Sequence, residues 1–121
     1  MKEMKLYIED QFDPVGSFLL IAPRMGNERE IYLKHDWYVV RSFAEMTLFI
    51  MQNRATPITV ISFDFDLDEY EGYQGKNGLD CAVWVKEYYE SIGLPLPKIY
   101  IHSRNYYGMQ AILNIFPTAI Y

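Results

Sequence analysis

The alternation of strand-like and helix-like segments after Trp37 limits the fold of this chain more than any other feature. Short β-branched or aromatic runs predict strands, and segments with apolar residues three and four positions apart predict helices. The predicted strands are Trp37–Val40, Ile58–Phe63 and Lys98–Ile101, and the predicted helices cover 42–53, 79–92 and 105–116. Because strand–helix–strand units close through right-handed crossovers, this order predicts a doubly wound α/β domain with a mostly parallel sheet.

The ends of the predicted helices carry residues that are typical of helix caps. Ser42 followed by Glu45 has capping-box spacing, in which each side chain accepts a hydrogen bond from a free backbone N–H group. Gly93 follows the second helix directly, and Pro117 stops the third helix. The run Ile58–Phe63 is short and rich in β-branched residues without alternation, which indicates a strand that is covered on both faces.

The N-terminal third is less regular than the rest of the chain. Residues 5–8 predict a first strand that ends at an acidic pair. Residues 18–22 and 30–33 are strand-like, and the turn-forming residues between them favour a β-hairpin inserted before the second strand of the sheet. We therefore expect a single domain over residues 1–121 with an N-terminal hairpin insertion.

Charge and composition narrow the partners and the location. The chain has 11 basic and 16 acidic residues, and the net charge of −5 argues against binding duplex DNA or an anionic membrane surface. No segment approaches the ~20 consecutive apolar residues of a membrane span, and the N-terminal residues do not resemble a signal peptide. Cys81 is the single cysteine, so no intramolecular disulfide can form, and we expect a cytoplasmic protein.

Polar side chains follow three of the predicted strands at the points where those strands end. They are Glu9 and Asp10, then Asp64 and Asp66, then His102, Ser103 and Asn105. Because ligands bind beyond the carboxyl ends of parallel strands, we expect these side chains to converge on one pocket. Converging carboxylates repel one another unless a proton or a cation intervenes, and their oxygens suit Mg²⁺, Mn²⁺ or Ca²⁺. His102 can exchange a proton near neutral pH, as general acid–base catalysis requires.

Each of these residues also has an ordinary structural role. His102 could hydrogen-bond a backbone carbonyl at the strand end, and Ser103 could cap a turn or helix rather than act as a nucleophile. Tyr106 and Tyr107 could belong to the core or its rim, or could stack on a base or ribose. The acidic run lacks the glycine and glutamate spacing of an EF-hand, and the glycine-containing loop lacks the spacing of a P-loop.

Three sequence motifs follow one another in a specific order: I-S-F-D-F-D-L at 61–67, G-L-D at 78–80 and I-H-S-R-N-Y-Y-G-M at 101–109. This ordered set resembles the cyclic-phosphate processing receiver-like domain family. They are similar to the family's D-H-D-L motif, its G-Y-D helix start and its H-S-x-N-x-x-G segment. The first strand ends in Glu9-Asp10, which is similar to the acidic pair that ends the family's opening strand.

The resemblance implies a receiver/flavodoxin-like fold and hydrolysis of a small phosphorylated substrate or RNA end that carries a 2′,3′-cyclic phosphate. It implies a divalent cation, Mg²⁺ or Mn²⁺, held by Glu9, Asp10, Asp64 and Asp66. It implies catalysis by His102 as general acid or base together with Asp64 and Ser103. It implies substrate contacts from Asn105, Arg104 and Tyr106.

Three functions remain open at this point, because the sequence departs from the family's motifs. Phe65 stands where the family has a histidine, and Gln11-Phe12 stands where it usually has an arginine. The first hypothesis is a metal-dependent phosphoesterase. The second is a receiver module in which Asp64 accepts a phosphoryl group. The third is a catalytically inactive interaction module, in which the long segment 12–36 could form a partner surface or a homodimer contact.

Overall fold

The computed structural model of this protein describes residues 3–16, 29–33, 36–67 and 75–121. The strands are β1 (Met4–Ile8), β2 (Trp37–Val40), β3 (Ile58–Phe63) and β4 (Lys98–Ile101). The helices are α1 (Phe43–Gln52), α2 (Gly78–Ile92) and α3 (Tyr106–Ile115), and a short 3₁₀ helix spans Arg29–Leu33. The predicted strands and helices after Trp37 are therefore confirmed, with boundaries that differ by a residue or so.

The four described strands form one parallel sheet in the order β2-β1-β3-β4. Leu6 of β1 lies between Tyr38 of β2 and Ile61 of β3, and Ile61 pairs in turn with Ile99 of β4. This order confirms the α/β, receiver/flavodoxin-like prediction, and every described pairing is parallel. The strand order reverses between β1 and β3, which is the switch point where ligands bind in sheets of this kind.

The two faces of the sheet carry different cores. Side chains on one face of β1 and β3, such as Leu6 and Ile61, pack with buried residues of all three helices in one cluster. On the opposite face a smaller cluster consists of Tyr7, Tyr32, Val60 and Tyr100. Because successive strand residues point to opposite faces, β1 and β3 are buried on both sides. The absence of polar–apolar alternation in β3 reflects this double coverage.

The predicted strand at residues 30–33 is wrong, because this segment lies within the 3₁₀ helix Arg29–Leu33. Its one fully buried aromatic residue, Tyr32, packs edge-on against Tyr7 and Tyr100 of the second face. A single helical turn suffices to insert this ring, whereas Leu33 remains 41% exposed. Tertiary packing thus decides the conformation over local β-propensity. Residues 18–22, the other arm of the predicted hairpin, lie outside the described residues.

The helix ends follow the capping residues of the sequence. The Ser42 hydroxyl accepts a hydrogen bond from the Glu45 N–H group at 3.1 Å, but the Glu45 carboxylate accepts from the Arg41 N–H group instead of completing the box at Ser42. A complete capping box opens α2, where Asn77 and Asp80 exchange hydrogen bonds. Gly93 ends α2 with a φ of 72°, a left-handed conformation that favours glycine.

Candidate functional site

Glu9, Asp64 and His102 come together just beyond the ends of β1, β3 and β4. One potential ligand atom from each side chain lies within 4.8 Å of the other two. The backbone N–H groups of all three residues donate across the sheet at 3.0 Å, to Val40, Ile8 and Phe63 respectively. Sheet hydrogen bonding therefore continues one residue past each strand. The three side chains lie on the second face of the sheet. Side-chain direction alternates along a strand, and the residue two positions before each of them points to that same face.

The Glu9 carboxylate is buried and stabilised as an anion. Its Oε2 accepts hydrogen bonds from the backbone N–H groups of Gln11 at 3.0 Å and Phe12 at 3.3 Å. Burial by itself would raise the pKa of Glu9, but the adjacent His102 imidazole and these two N–H groups outweigh it and lower the pKa to about 2. Glu9 is thus a buried carboxylate that stays negatively charged at the site.

Arg41 holds the loop that supplies those N–H groups. Its Nη1 donates to the carbonyl oxygens of Glu9 at 3.2 Å and Phe12 at 3.1 Å, and its Nη2 lies 2.7 Å from Oδ1 of Asp13. The sequence alone does not identify Arg41, which follows β2 and reaches the β1 loop only because the two strands are neighbours. Its position directly after a predicted strand is the one available signal.

The Asp64 carboxyl group has the opposite electrostatic character. Burial is the largest cause that raises its pKa, followed by the charge of Glu9, and Asp10 and Asp66 add smaller contributions. The N–H group of Phe65 donates to Oδ1 at 2.7 Å and opposes the rise, but the pKa of Asp64 still reaches about 8. Without a cation, Asp64 therefore holds a proton at neutral pH.

His102 is enclosed on every side, with a side chain that is 0% exposed. Its ring stacks on Tyr7 with centroids 4.2 Å apart and planes 12° apart. Nδ1 lies 2.7 Å from the Ser62 hydroxyl, which in turn lies 2.8 Å from the Tyr32 hydroxyl. Burial lowers the pKa of His102 more than Glu9 raises it, so the imidazole is neutral near pH 7.

The Nε2 atom of His102 faces the carboxylates. It lies 3.4 Å from Oε1 of Glu9, and it has no geometrically satisfactory hydrogen-bond partner among the described residues. Such an orphaned buried nitrogen beside two carboxylates is of the kind that a bound ion or ligand satisfies. The three candidate ligand atoms lie within 4.8 Å of one another, and a group of this kind could hold a metal ion. The donor set fits a divalent cation.

The remaining predicted acidic residues lie at the edge of this cluster. Asp10 is half-buried and Asp66 is exposed, and both influence Asp64 through their charge. Asp66 also accepts long hydrogen bonds of 3.4 and 3.5 Å from the Asn105 amide. The structure therefore brings Glu9, Asp64 and His102 into one compact group and leaves the other two carboxylates around it.

Ser103 and Asn105 make local hydrogen bonds where α3 begins. The Ser103 hydroxyl accepts from the Asn105 N–H group at 3.0 Å, and Asn105 Oδ1 caps the helix by accepting from the Gly108 N–H group at 2.9 Å. Arg104 is exposed, and Tyr106 is 63% exposed beside the still more exposed Tyr107. The substrate contacts that the resemblance implies for these residues stay predictions.

Phe65 is a packing residue at the position of the family's histidine. Its ring lies so close to the first turn of α3 that a Cβ atom on Gly108 would stand 2.2 Å from Cγ of Phe65. On the other side of the same loop, a Cβ on Gly78 would stand 1.9 Å from the Asp64 carbonyl oxygen. The two glycines allow α2 and α3 to close tightly around the loop after β3.

The sheet order and the carboxylates past β1 and β3 define a receiver-like α/β domain with its site at the switch point. The model of the cyclic-phosphate processing receiver domain matches residues 4–117, and the chain belongs to this family. The resemblance that the motifs indicated is thereby confirmed. No curated protein and no solved structure matches the chain. Among the described residues, no helix is both long and apolar enough to cross a membrane.

Proposed function

We propose that this domain is a metal-dependent phosphoesterase that hydrolyses a cyclic phosphate, in the form of a 2′,3′-cyclic nucleotide or RNA end. The observation that carries the proposal is the buried Glu9–Asp64–His102 cluster at the switch point of a cyclic-phosphate processing receiver domain. Two carboxylates and one neutral imidazole provide both charge for a cation and a group that can transfer a proton.

Glu9 and Asp64 would hold the cation, and Asp10 and Asp66 would add negative charge at its outer side. A bound Mg²⁺ or Mn²⁺ would neutralise phosphate charge and lower the pKa of a water molecule at the site. Asp64 would release its proton when the cation binds, because the positive charge removes the repulsion that raises its pKa. Glu9 needs no such change, since it is already ionised.

His102 would act as the general acid or base. Its Nε2 faces the carboxylates, its ring is held by stacking on Tyr7, and its burial excludes bulk water from the proton transfer. With Phe65 committed to packing against Gly108, His102 would carry proton transfer alone. We therefore expect turnover that depends steeply on this one imidazole.

The segment from Ser103 to Tyr106 would face the phosphate and its nucleoside. Ser103 and Asn105 would orient phosphate oxygens, and Arg104 would supply a positive charge near the start of α3. The exposed ring of Tyr106 would contact the base or ribose. These contacts explain how a chain with a net charge of −5 could bind an anion at one edge of its sheet.

The experiment that tests this function is a hydrolysis assay with 2′,3′-cyclic nucleotides in the presence of Mg²⁺ or Mn²⁺. We expect His102→Asn and Asp64→Asn each to reduce kcat/KM by about 100-fold or more. Asp36→Asn is the matched control, because Asp36 is an exposed aspartate at the opposite end of β2 and should leave activity unchanged. Turnover that survives both site substitutions would overturn the proposal.

A second candidate is a catalytically inactive interaction module, and the packing of Phe65 on Gly108 favours it. This arrangement replaces a proton-transfer group of the family with an apolar contact. The candidate predicts a folded protein that has no measurable affinity for the cation and hydrolyses none of the four 2′,3′-cyclic nucleotides. Labelling of Asp64 by acetyl phosphate would favour a phosphoacceptor over both alternatives.

A further inference from the structure

The second face of the sheet holds a continuous chain of buried polar contacts that begins outside the strands. It runs from the Tyr32 hydroxyl to the Ser62 hydroxyl at 2.8 Å, and from Ser62 to Nδ1 of His102 at 2.7 Å. Tyr32 and Ser62 are 0% exposed, and His102 is 3% exposed. Three buried polar side chains joined at these distances form a hydrogen-bond network, which restricts the orientation of each member.

Only one order of donors and acceptors in this hydrogen-bond network matches the charges around it. Oε1 of Glu9 lies 3.4 Å from Nε2, and Oε2 of the same carboxylate accepts hydrogen bonds from two backbone N–H groups, so a proton on Nε2 lies beside a hydrogen-bond-accepting carboxylate. Nδ1 is then a bare acceptor, and the Ser62 hydroxyl donates to it while accepting from the Tyr32 hydroxyl. The reverse order would put the bare nitrogen lone pair against the carboxylate, which is repulsive.

We propose that Ser62 and Tyr32 are positioning residues for His102, which hold its Nε2 towards Glu9 and Asp64 and keep its proton on Nε2 in the metal-free protein. Histidines that bind a metal through Nε2 commonly donate their Nδ1–H group to a carbonyl or carboxylate, which keeps Nε2 free of a proton. A hydroxyl can either donate or accept a hydrogen bond. Ser62 can therefore also accept from Nδ1–H if Nε2 must present its lone pair. The part of this inference that concerns catalysis rests on the proposed function.

The proposal gives a role to the 3₁₀ helix Arg29–Leu33. This helix places Tyr32 over the second face, where the ring also packs edge-on against His102 with centroids 5.9 Å apart. The Trp37 indole donates to the carbonyl oxygen of Ile31 at 3.1 Å and ties the helix to β2. A segment between β1 and β2 thereby supports the histidine of the site from behind.

The first test is the ring ¹⁵N spectrum of His102 in metal-free protein at pH 7.5. His35→Gln serves as the background so that one imidazole contributes. We expect a protonated Nε2 and an unprotonated Nδ1 in a single tautomer. Ser62→Ala should give a tautomer mixture or a protonated Nδ1, and Tyr32→Phe a smaller change in the same direction. A protonated Nδ1 in the background protein, or no change in either variant, would overturn the proposal.

The second test is turnover of a 2′,3′-cyclic nucleotide by the same variants in the presence of Mn²⁺. We expect Ser62→Ala to lower kcat about 10-fold or more with KM little changed, and Tyr32→Phe to lower kcat less, because a misoriented imidazole transfers a proton poorly. Thr59→Ala is the matched control, because Thr59 is a hydroxyl residue of the same strand whose side chain contacts the Met4 carbonyl instead. An equal loss of kcat in Thr59→Ala would reduce Ser62 to a structural residue and contradict the proposal. If the wild type hydrolyses no cyclic nucleotide, the proposed function fails while the ¹⁵N result still decides the positioning role.

Discussion

Replacing Asp64 with asparagine should stabilise the metal-free protein at alkaline pH, although it removes a residue of the site. The folded protein raises the pKa of Asp64 from 3.8 to about 8, so the folded state holds a proton that the unfolded chain releases between these values. The free energy of unfolding therefore falls as the pH rises through this window. Asparagine resembles the protonated carboxyl group in shape and charge and escapes this loss.

The size of the stability difference follows from the pKa of Asp64 in the folded and unfolded states. A tenfold change in proton affinity corresponds to ~1.4 kcal/mol, so the rise from 3.8 to about 8 sets an upper limit of about 6 kcal/mol. Asp64 is only partly buried, and water at the rim of the site screens its repulsion from Glu9. We expect Asp64→Asn to exceed the wild type by about 2 kcal/mol at pH 8, and the two proteins to be equal within error near pH 4.

Urea unfolding followed by tryptophan fluorescence in EDTA measures this difference at several pH values. Asp36→Asn is the control and should follow the wild-type pH profile, since Asp36 makes an exposed ion pair with Lys5. A constant difference between Asp64→Asn and the wild type from pH 4 to pH 8 would refute the electrostatic argument. So would a variant that is less stable than the wild type at pH 8.

Three further predictions address the packing and charge of the site. Gly108→Ala should lower the free energy of unfolding by about 1–3 kcal/mol, because the new Cβ would overlap the Phe65 ring. In urea unfolding, the double variant with Phe65→Ala should recover most of this loss. Glu9→Gln should make the free energy of unfolding less dependent on pH between pH 4.5 and 2. Ionised Glu9 stabilises the fold above this range, and the wild type loses that contribution as Glu9 is protonated. An unchanged pH dependence in this range would contradict the lowered pKa of Glu9. Phe65→His should raise kcat for a cyclic phosphate if the domain is an enzyme, and unchanged kcat in a folded variant would show that His102 transfers the proton unaided.

The sequence was sufficient to predict the parallel sheet, because the signals for it are local. Uninterrupted apolar strands and capping residues such as Ser42 and Gly93 mark the elements, and strand–helix alternation fixes how they connect. The same logic placed Glu9, Asp64 and His102 at one edge, since the residues after parallel strands meet there.

The support around the site could not be predicted, because it depends on contacts between distant segments. Tyr32 reaches Ser62 only when the 3₁₀ helix packs on the second face, and Arg41 reaches the loop after β1 only when β1 and β2 pair. Ser62 left one signal, as a polar residue in an otherwise buried strand at even spacing from Val60 and Asp64. The packing role of Phe65 likewise depends on Gly108, more than forty residues away.

Calorimetric titration of the metal-free protein with Mn²⁺ tests the central claim most directly, because Glu9 and Asp64 are proposed to hold one cation beside His102. We predict stoichiometric binding at one site in the wild type and in Asp36→Asn, with release of close to one proton at pH 7 as Asp64 ionises. Binding should be lost in Asp64→Asn. A wild-type protein that binds no Mn²⁺, or an Asp64→Asn variant that binds it as tightly as the wild type, would contradict the account.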